Sequence, residues 1–353
     1  MTFSIVIPIY NAEKYLKECL KSVDAMYIPK GVELEVLLIE NGSTDGSAKL
    51  CDTYSENNSK YKSFHFWNIG AYNARREGMK KACGDYILFA DADDQLAVNT
   101  IDCLVTFLKG LRDKTKWPDM IIHNAAYMDE RDNMMFEFPF TPGKIYQEEE
   151  KKPFYEVMCE GDSLNALWNK CIKKSLAEKI IMTDDKAGRK NFNHGEDLLQ
   201  TAELLDEAKS IVYLDNILYF YRDNSEGLTG SFHKEFLGNQ VDAWRAFDQY
   251  ADKWTDGSFE DIISERKTLT CTIAVKSLIY SRLSIKKKKS ELLNIMSEPF
   301  YGKYATRSLP DWAPEEDEYV HELMLGDKAF GKLMMTGKKY NLKSRVKKAL
   351  GKQ

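Results

Sequence analysis

No stretch of this sequence approaches the ~20 uninterrupted apolar residues that a membrane-spanning helix needs. The opening residues Met1 to Val6 lack the basic stretch of a secretory signal and run directly into strand-like sequence, so a chain without a cleaved leader is expected. Cysteines number seven, an odd count, and none forms a C-x-x-C pair. That excludes a thiolate zinc knuckle and fits a reduced, cytoplasmic compartment. No internal repeat and no low-complexity linker interrupts the chain. Residues 328–353 contain no Asp or Glu but nine Lys or Arg. Without them, 41 basic residues stand against 55 acidic ones, a body near −14. Such a body repels polyanions, which excludes nucleic acid as a general partner.

What is present suffices for a large core, since 43% of the 353 residues are hydrophobic. Residues 1–125 alternate between short apolar runs and helical periodicity. Strands are expected at Phe3–Ile7, Leu34–Ile39, Phe64–Trp67, Tyr86–Ala90 and Met120–Ile122. Helices are expected over 12–25, with Asn11 as N-cap, over 71–82, and after a cap at Asn99. This alternation predicts an α/β fold with a mostly parallel mixed sheet. Residues 126–230 mix loops, a helix near 195–207, and two strands at Ile211–Leu214 and Leu218–Tyr221. Residues 231–353 read as a helical C-terminal region.

Four constellations stand out, three of them where a parallel sheet binds ligands, beyond the carboxyl ends of its strands. Asp91-Ala92-Asp93-Asp94 follows the fourth strand. Three carboxylates so close repel one another unless a cation lies between them. They suit Mg²⁺ or Mn²⁺, with phosphate oxygens completing the shell; a solvated acidic turn is the plainer reading. Pro8-Ile9-Tyr10-Asn11 offers a ring for stacking a base, or simply a strand end and cap. In Glu40 to Ser47, Asn41 can pair with a base edge, while Ser43, Thr44 and Asp45 cap the next helix. His194-Gly195-Glu196-Asp197 opens an amphipathic helix, where a carboxylate serves either as general base or as a cap.

The ordered set of pieces resembles the family 2 glycosyltransferases over residues 3–130, and more loosely to about 230. The pieces are Ser4 to Leu16, Gly42 to Ser47, Asn68-Ile69-Gly70 with Ala74-Arg75, Gly84 to Ile87, Asp91 to Asp94, Trp168-Asn169-Lys170 and Gly195-Glu196-Asp197. The resemblance implies a GT-A fold, with a nucleotide-sugar half at 1–125 and an acceptor half at 126–230. It implies metal-dependent, inverting transfer of a sugar from a nucleotide-sugar, expected to be a UDP-sugar, to a hydroxyl acceptor. Carried over by position, Tyr10 and Asn41 flank the base, and Pro8, Asn11 and Glu40 belong to the same nucleotide-sugar site. Asp91 and Ala92 meet the ribose, and Asp93 with Asp91 holds the metal, supported by Asp94. Asp197 acts as base with Glu196 as second candidate, Arg75 steadies the nucleotide, and Arg222 meets a diphosphate or an acceptor anion. The chain departs from the family at Glu40-Asn41, where two aspartates are usual; an asparagine oxygen accepts the uracil N–H without charge assistance.

The basic tail places Leu342, Val346, Ala349 and Leu350 on one helical face among Lys338 to Lys352. Such a helix can lie on an anionic membrane, so a peripheral position at the inner face of the cell membrane, with a lipid-linked acceptor, is expected. The helical region also offers a surface for a homodimer. Two rival readings carry less. A sugar-phosphate nucleotidyltransferase needs a Gly-rich phosphate loop after the first strand, and Pro8 to Asn11 is not one. A non-catalytic membrane-associated scaffold on a transferase fold draws only on Glu40-Asn41.

Overall fold

The computed structural model describes residues 1–184, 194–223, 232–326 and 329–349, the last nine of these as backbone alone. The chain divides into two compact units, Met1–Met158 with Asp162–Asp223, and Cys159–Gly161 with Asn224–Gln353. The first is built from β1 (Thr2–Ile9), α1 (Glu13–Asp24), β2 (Glu33–Glu40), α2 (Ser47–Asn57), β3 (Tyr61–His65), α3 (Gly70–Lys81), β4 (Tyr86–Phe89), β5 (Gln95–Leu96), α4 (Thr100–Gly110), β6 (Met120–Tyr127), β7 (Ile145–Gln147), α5 (Lys152–Glu160), β8 (Lys170–Lys173), α6 (Lys174–Asp184), α7 (Glu196–Glu207) and β9 (Ser210–Tyr221). The last residues of α5 fall in the second unit.

The sheet runs β3-β2-β1-β4-β8-β6-β9-β5, with β7 on β9. Pairings β1–β2, β2–β3, β1–β4 and β6–β9 are parallel. The short β8 is antiparallel to both β4 and β6. The parallel strands are apolar on both faces, as burial beneath two helical layers requires: β4 is buried throughout and β1 shows six buried positions in eight. From β1 the chain moves outward to β2 and β3, then returns to β4 on the other side. That reversal opens a crevice beyond the carboxyl ends of β1 and β4. Tyr10 and Asp91 lie just past those two ends.

Several boundaries differ from the sequence reading. β3 begins at Tyr61, whose buried hydroxyl bonds Asp24, and ends before Trp67, which is 92% exposed. The strands expected at 211–214 and 218–221 are one strand, β9, because register shifts against β6 at His123–Ala125 absorb the interruption at Asp215-Asn216. Asn11 is not the cap of α1. It adopts the left-handed conformation (φ 50), and its Oδ1 accepts from Thr44 N at 2.8 Å. The start of α1 is capped instead from the β2–α2 loop: Ala12 N donates to Ser47 Oγ at 2.9 Å and Glu13 N to Asp45 Oδ2 at 3.0 Å. Asp45 Oδ1 also accepts from Ser47 N at 3.0 Å, so one carboxylate serves two helix starts. Burial opposes its ionisation, but these hydrogen bonds outweigh that and hold its pKa below the usual value. Asn99 precedes α4 without a side-chain cap.

The turn that sets this loop depends on Gly42. Its φ is +78, and a Cβ there would stand 2.7 Å from Asn68 N. A Gly42→Ala chain is therefore expected to lose about 2 kcal/mol or more, from left-handed strain together with a backbone clash. Urea unfolding checks this; an unchanged midpoint would mean the loop shifts freely.

The second unit is helical: α8 (Phe236–Thr255), α9 (Glu260–Tyr280), α10 (Ile285–Ser297), α11 (Pro299–Tyr304), α12 (Glu315–Leu325) and α13 (Ala329–Ala349). α9 is buried along most of its length, and Leu292, Ile295, Val320, Leu333 and Met334 pack on its C-terminal half. Gly337 permits the approach of α13, since a Cβ there would lie 2.0 Å from the Ile279 carbonyl oxygen. Among the described residues no helix is long and apolar enough to cross a membrane. All seven cysteines are free thiols.

Candidate active site

The site forms around Arg75, which α3 carries into the crevice with its side chain 5% exposed. One guanidinium reaches two elements. Nη2 donates to Asp91 Oδ1 at 3.0 Å, and Nη1 donates to Asp197 Oδ1 at 2.9 Å, with Glu196 Oε1 at 3.6 Å. Burial alone would favour neutral Arg75, but Asp197, Asp91 and Glu196 outweigh it and push its pKa further up. The first turn of α7 supplies the acids, after a Gly195 in the left-handed conformation (φ 80). Burial, then the charge of Asp197, raises Glu196 to about 7. Asp197 is raised as well, by burial first, with Arg75 pulling the other way. The two residues are sequence neighbours, and their titration belongs to the pair.

The turn after β4 is held by β9. Tyr219 Oη accepts from Asp91 N at 3.0 Å and donates to Asp94 Oδ2 at 2.8 Å. Arg222 N donates to Asp94 Oδ1 at 2.7 Å. Asp94 is 2% exposed, and burial together with Asp91 and Asp93 raises its pKa to about 8. It is thus an internal brace of the turn. Asp91 and Asp93 are both partly exposed at the crevice. No ready-made group of three metal ligands exists among the described residues. The donor set still fits a hard cation: two carboxylates, with phosphate oxygens to complete the shell, is how Mg²⁺ is usually bound. The upward pressure on Asp94 from its anionic neighbours is what such a cation would relieve.

Arg222 extends over this turn. Its Nε donates to the Asp93 carbonyl at 2.8 Å, Nη2 meets Glu18 Oε2 at 2.5 Å, and the guanidinium lies 4.6 Å from the Tyr15 ring centroid. Glu18 and Tyr15 escaped the sequence reading as site neighbours. On α1 they scan as one surface residue and one core residue.

At the ends of β1 and β2, Pro8 lies within β1, and Tyr10 presents a 42% exposed ring. The acidic pair position behaves unlike a ligand-facing pair. Glu40 is buried, with Oε1 accepting from Ser43 N at 2.5 Å and Oε2 3.3 Å from His65 Nδ1. Asn41 is buried too, and its Oδ1 accepts from Ile69 N at 2.8 Å. The oxygen expected to receive a base N–H thus already receives a backbone one.

Lys170, named above only as part of the resemblance, belongs to the structure around the site. It is fully buried, and its ammonium donates to the Leu164 carbonyl at 2.7 Å, to the Ala166 carbonyl, and to Asn169 Oδ1 at 2.8 Å. Burial lowers it to about 7, against the pull of Asp197. Beside it, Trp168 stacks on Tyr219 with centroids 4.6 Å apart, and so backs the strand that holds the Asp91–Asp94 turn.

A mostly parallel sheet with a switch-point crevice, lined by carboxylates from two elements, is the architecture of a GT-A nucleotide-sugar transferase. Solved structures share it. The crystal structure of S. aureus TarS 1–349 in complex with UDP-GlcNAc aligns over 98% of this chain and 92% of that one, at a TM-score of 0.58 and 18% identity, a likeness of fold. The model of glycosyl transferase family 2 matches residues 4–185, and the chain belongs to that family. Among curated relatives, EpsH of Bacillus subtilis (strain 168) is 26% identical over 234 residues, 66% of this chain and 64% of that protein. Glycosyltransferase GlyG of Streptococcus pneumoniae is 30% identical over 242 residues, 63% of this chain and 71% of GlyG. The chain spans only 33% of another pneumococcal relative, glycosyltransferase GlyA.

Proposed function

We propose that this chain transfers a sugar from a nucleoside diphosphate sugar, with UDP as the expected carrier, to a hydroxyl of a growing, lipid-linked surface glycan, inverting the anomeric centre. The observation that carries the reading is the bridge through Arg75. It ties a carboxylate at the donor end of the crevice, Asp91, to a carboxylate on another element, Asp197. TarS, named as a poly(ribitol-phosphate) beta-N-acetylglucosaminyltransferase and crystallised with UDP-GlcNAc, supports both the donor class and a surface polymer as acceptor.

Asp197 accepts the proton of the acceptor hydroxyl. The oxygen's electron pair attacks the anomeric carbon, and the bond to the diphosphate breaks with its electrons leaving on the phosphate oxygen. Attack from the face opposite the departing group inverts the centre. Arg75 orients the base and opposes its premature protonation. Asp93, with Asp91, would hold Mg²⁺ or Mn²⁺, which neutralises charge on the leaving diphosphate. Tyr10 stacks the base, Asn41 borders it, and Arg222 stands ready for an anionic group. The basic tail holds the enzyme at an anionic membrane, where a lipid-linked acceptor resides; the side chains of its apolar face, Leu342, Val346, Ala349 and Leu350, lie outside the described residues.

A donor screen tests the reading. UDP-, GDP-, CDP- and dTDP-sugars, each with and without Mn²⁺, are compared by thermal shift. A ligand at 100 times its Kd adds about 2.7 kcal/mol of stability. A Mn²⁺-dependent shift with one donor is expected, and Asp93→Ala should abolish the metal-dependent part while leaving the ligand-free Tm nearly unchanged. Silence across the panel, with no turnover, would sink the proposal.

A further inference from the structure

The second unit carries a surface that the transfer reaction does not use. On α10, Leu292 and Ile295 face the α9 core, yet Ile285, Leu293 and Met296 are 49%, 59% and 52% exposed. At 3.6 residues per turn, these three fall with Lys289 inside an arc of about 80°. Glu291, the single acid of α10, lies on the opposite side of the helix from that arc. Lys286, Lys287 and Lys289 are exposed, whereas Lys288 is turned inward and its ammonium donates to the Ile279 carbonyl. The four-lysine run is therefore not a uniform solvated segment: Lys288 anchors the helix, Lys289 lies within the apolar ridge, Lys286 borders it, and Lys287 faces the other side.

One residue of α13 adjoins this ridge: the Lys289 ammonium lies 5.9 Å from the ring centroid of Phe330, itself exposed. Met335 and Tyr340 point to other sides of α13, and Tyr340 stacks on Tyr280 with ring centroids 4.0 Å apart. α13 contains no acidic residue. The face of α10, with exposed large apolar side chains beside Lys286 and Lys289 and its one acid turned away, matches an anionic lipid surface, where the apolar groups enter the headgroup boundary and the ammonium groups meet phosphate. A soluble partner with a matching acidic, apolar face would need both features in one place. An anionic bilayer supplies them everywhere.

We infer that the exposed face of α10, with Phe330 beside it, is the membrane-docking surface of this chain and binds without the tail. The inference deepens the membrane part of the proposed function and is independent of the transfer chemistry, since lipid binding needs no donor. The test is co-sedimentation of the full chain with vesicles of phosphatidylglycerol and phosphatidylcholine, or of phosphatidylcholine alone, at low and high salt. The variants are Leu293→Ser with Met296→Ser, Lys286→Gln with Lys289→Gln, and a chain ending at residue 340. Circular dichroism verifies that each is folded, which is expected because the changed side chains are exposed. Each double variant should weaken binding to anionic vesicles about tenfold or more, the lysine pair losing most at low salt. The shortened chain should retain measurable binding. Wild-type affinity in both double variants would overturn the assignment, as would equal binding to neutral vesicles. If only the shortened chain loses binding, the tail acts alone and α10 has no part. Should light scattering show a wild-type dimer that Leu293→Ser with Met296→Ser dissolves, with vesicle binding unchanged, the face is a self-association surface and the inference fails.

Discussion

Asp197→Asn is expected to lower kcat by about 10²–10⁴-fold while donor Kd moves only a few-fold. The amide keeps the shape and can still accept from Arg75, but it cannot take a proton. Glu196→Gln should do less, because Glu196 stands 3.6 Å from the guanidinium that orients Asp197 at 2.9 Å. The pH profile distinguishes the two further. Both carboxyls titrate above their ordinary values, Glu196 at about 7. A base works only when deprotonated, so kcat should climb through a limb near neutral pH and level off above it. In Glu196→Gln that limb should move to lower pH, since a neighbouring negative charge has gone. If Asp197→Asn keeps more than about a tenth of normal kcat, it is not the base, and the role passes to Glu196.

The second large effect is on stability. Arg75→Met removes a cation that Asp91, Asp197 and Glu196 share. Removing one partner of a fully buried pair costs about 3–5 kcal/mol. Asp91 and Asp197 keep side-chain exposures of 29% and 35%, so water recovers part of the loss, and about 2–3 kcal/mol is expected. The deficit should depend on pH with a definite sign. Without Arg75 the α7 acids rise further, so the folded chain binds protons more tightly than the unfolded one. Their contribution is favourable at low pH and is lost as pH rises from about 4.5 through 7 and beyond. The variant should therefore approach wild-type stability near pH 5 and fall behind it toward pH 8, as urea unfolding at several pH values would show. A deficit that is flat across this range would mean the acids do not depend on Arg75. Arg75→Lys should not rescue, because a single ammonium cannot bridge two elements as a planar fork does.

The fold of residues 1–125 was legible because its strands are continuous apolar runs. Apolar runs buried on both faces announce a parallel sheet, and whatever follows each run must lie at the crevice. That reasoning brings Tyr10, Asn41 and Asp91 to the strand ends, while Arg75 comes from the resemblance alone, and neither says which of their atoms are engaged by the protein itself. Glu40 scans as a ligand, but its carboxylate braces Ser43 and His65. Asn11 scans as a helix cap, but a neighbouring loop does the capping. Such choices depend on contacts between segments some thirty residues apart, which no local pattern records. The region 126–184 was opaque for another reason. β8 is four residues with a lysine at each end, and Lys170 is buried only because two carbonyls and an asparagine receive its ammonium. Periodicity assigns such a lysine to the surface. Two strands were expected where β9 is continuous, because Asp215-Asn216 carries the composition of a turn while the bulged pairing with β6 absorbs it.

The grip of Tyr219 on the acidic turn bears on how this enzyme can be re-engineered. One hydroxyl receives the amide of Asp91 and gives its proton to Asp94, while Arg222, three residues on, closes over the same turn. Residues 91–94 are therefore no portable cassette. A chimera that imports the turn from another member of the family inherits a shape that only a matching 219–222 segment can enforce. The smallest unit that can be exchanged is the pair, although more than a hundred residues of chain lie between its halves.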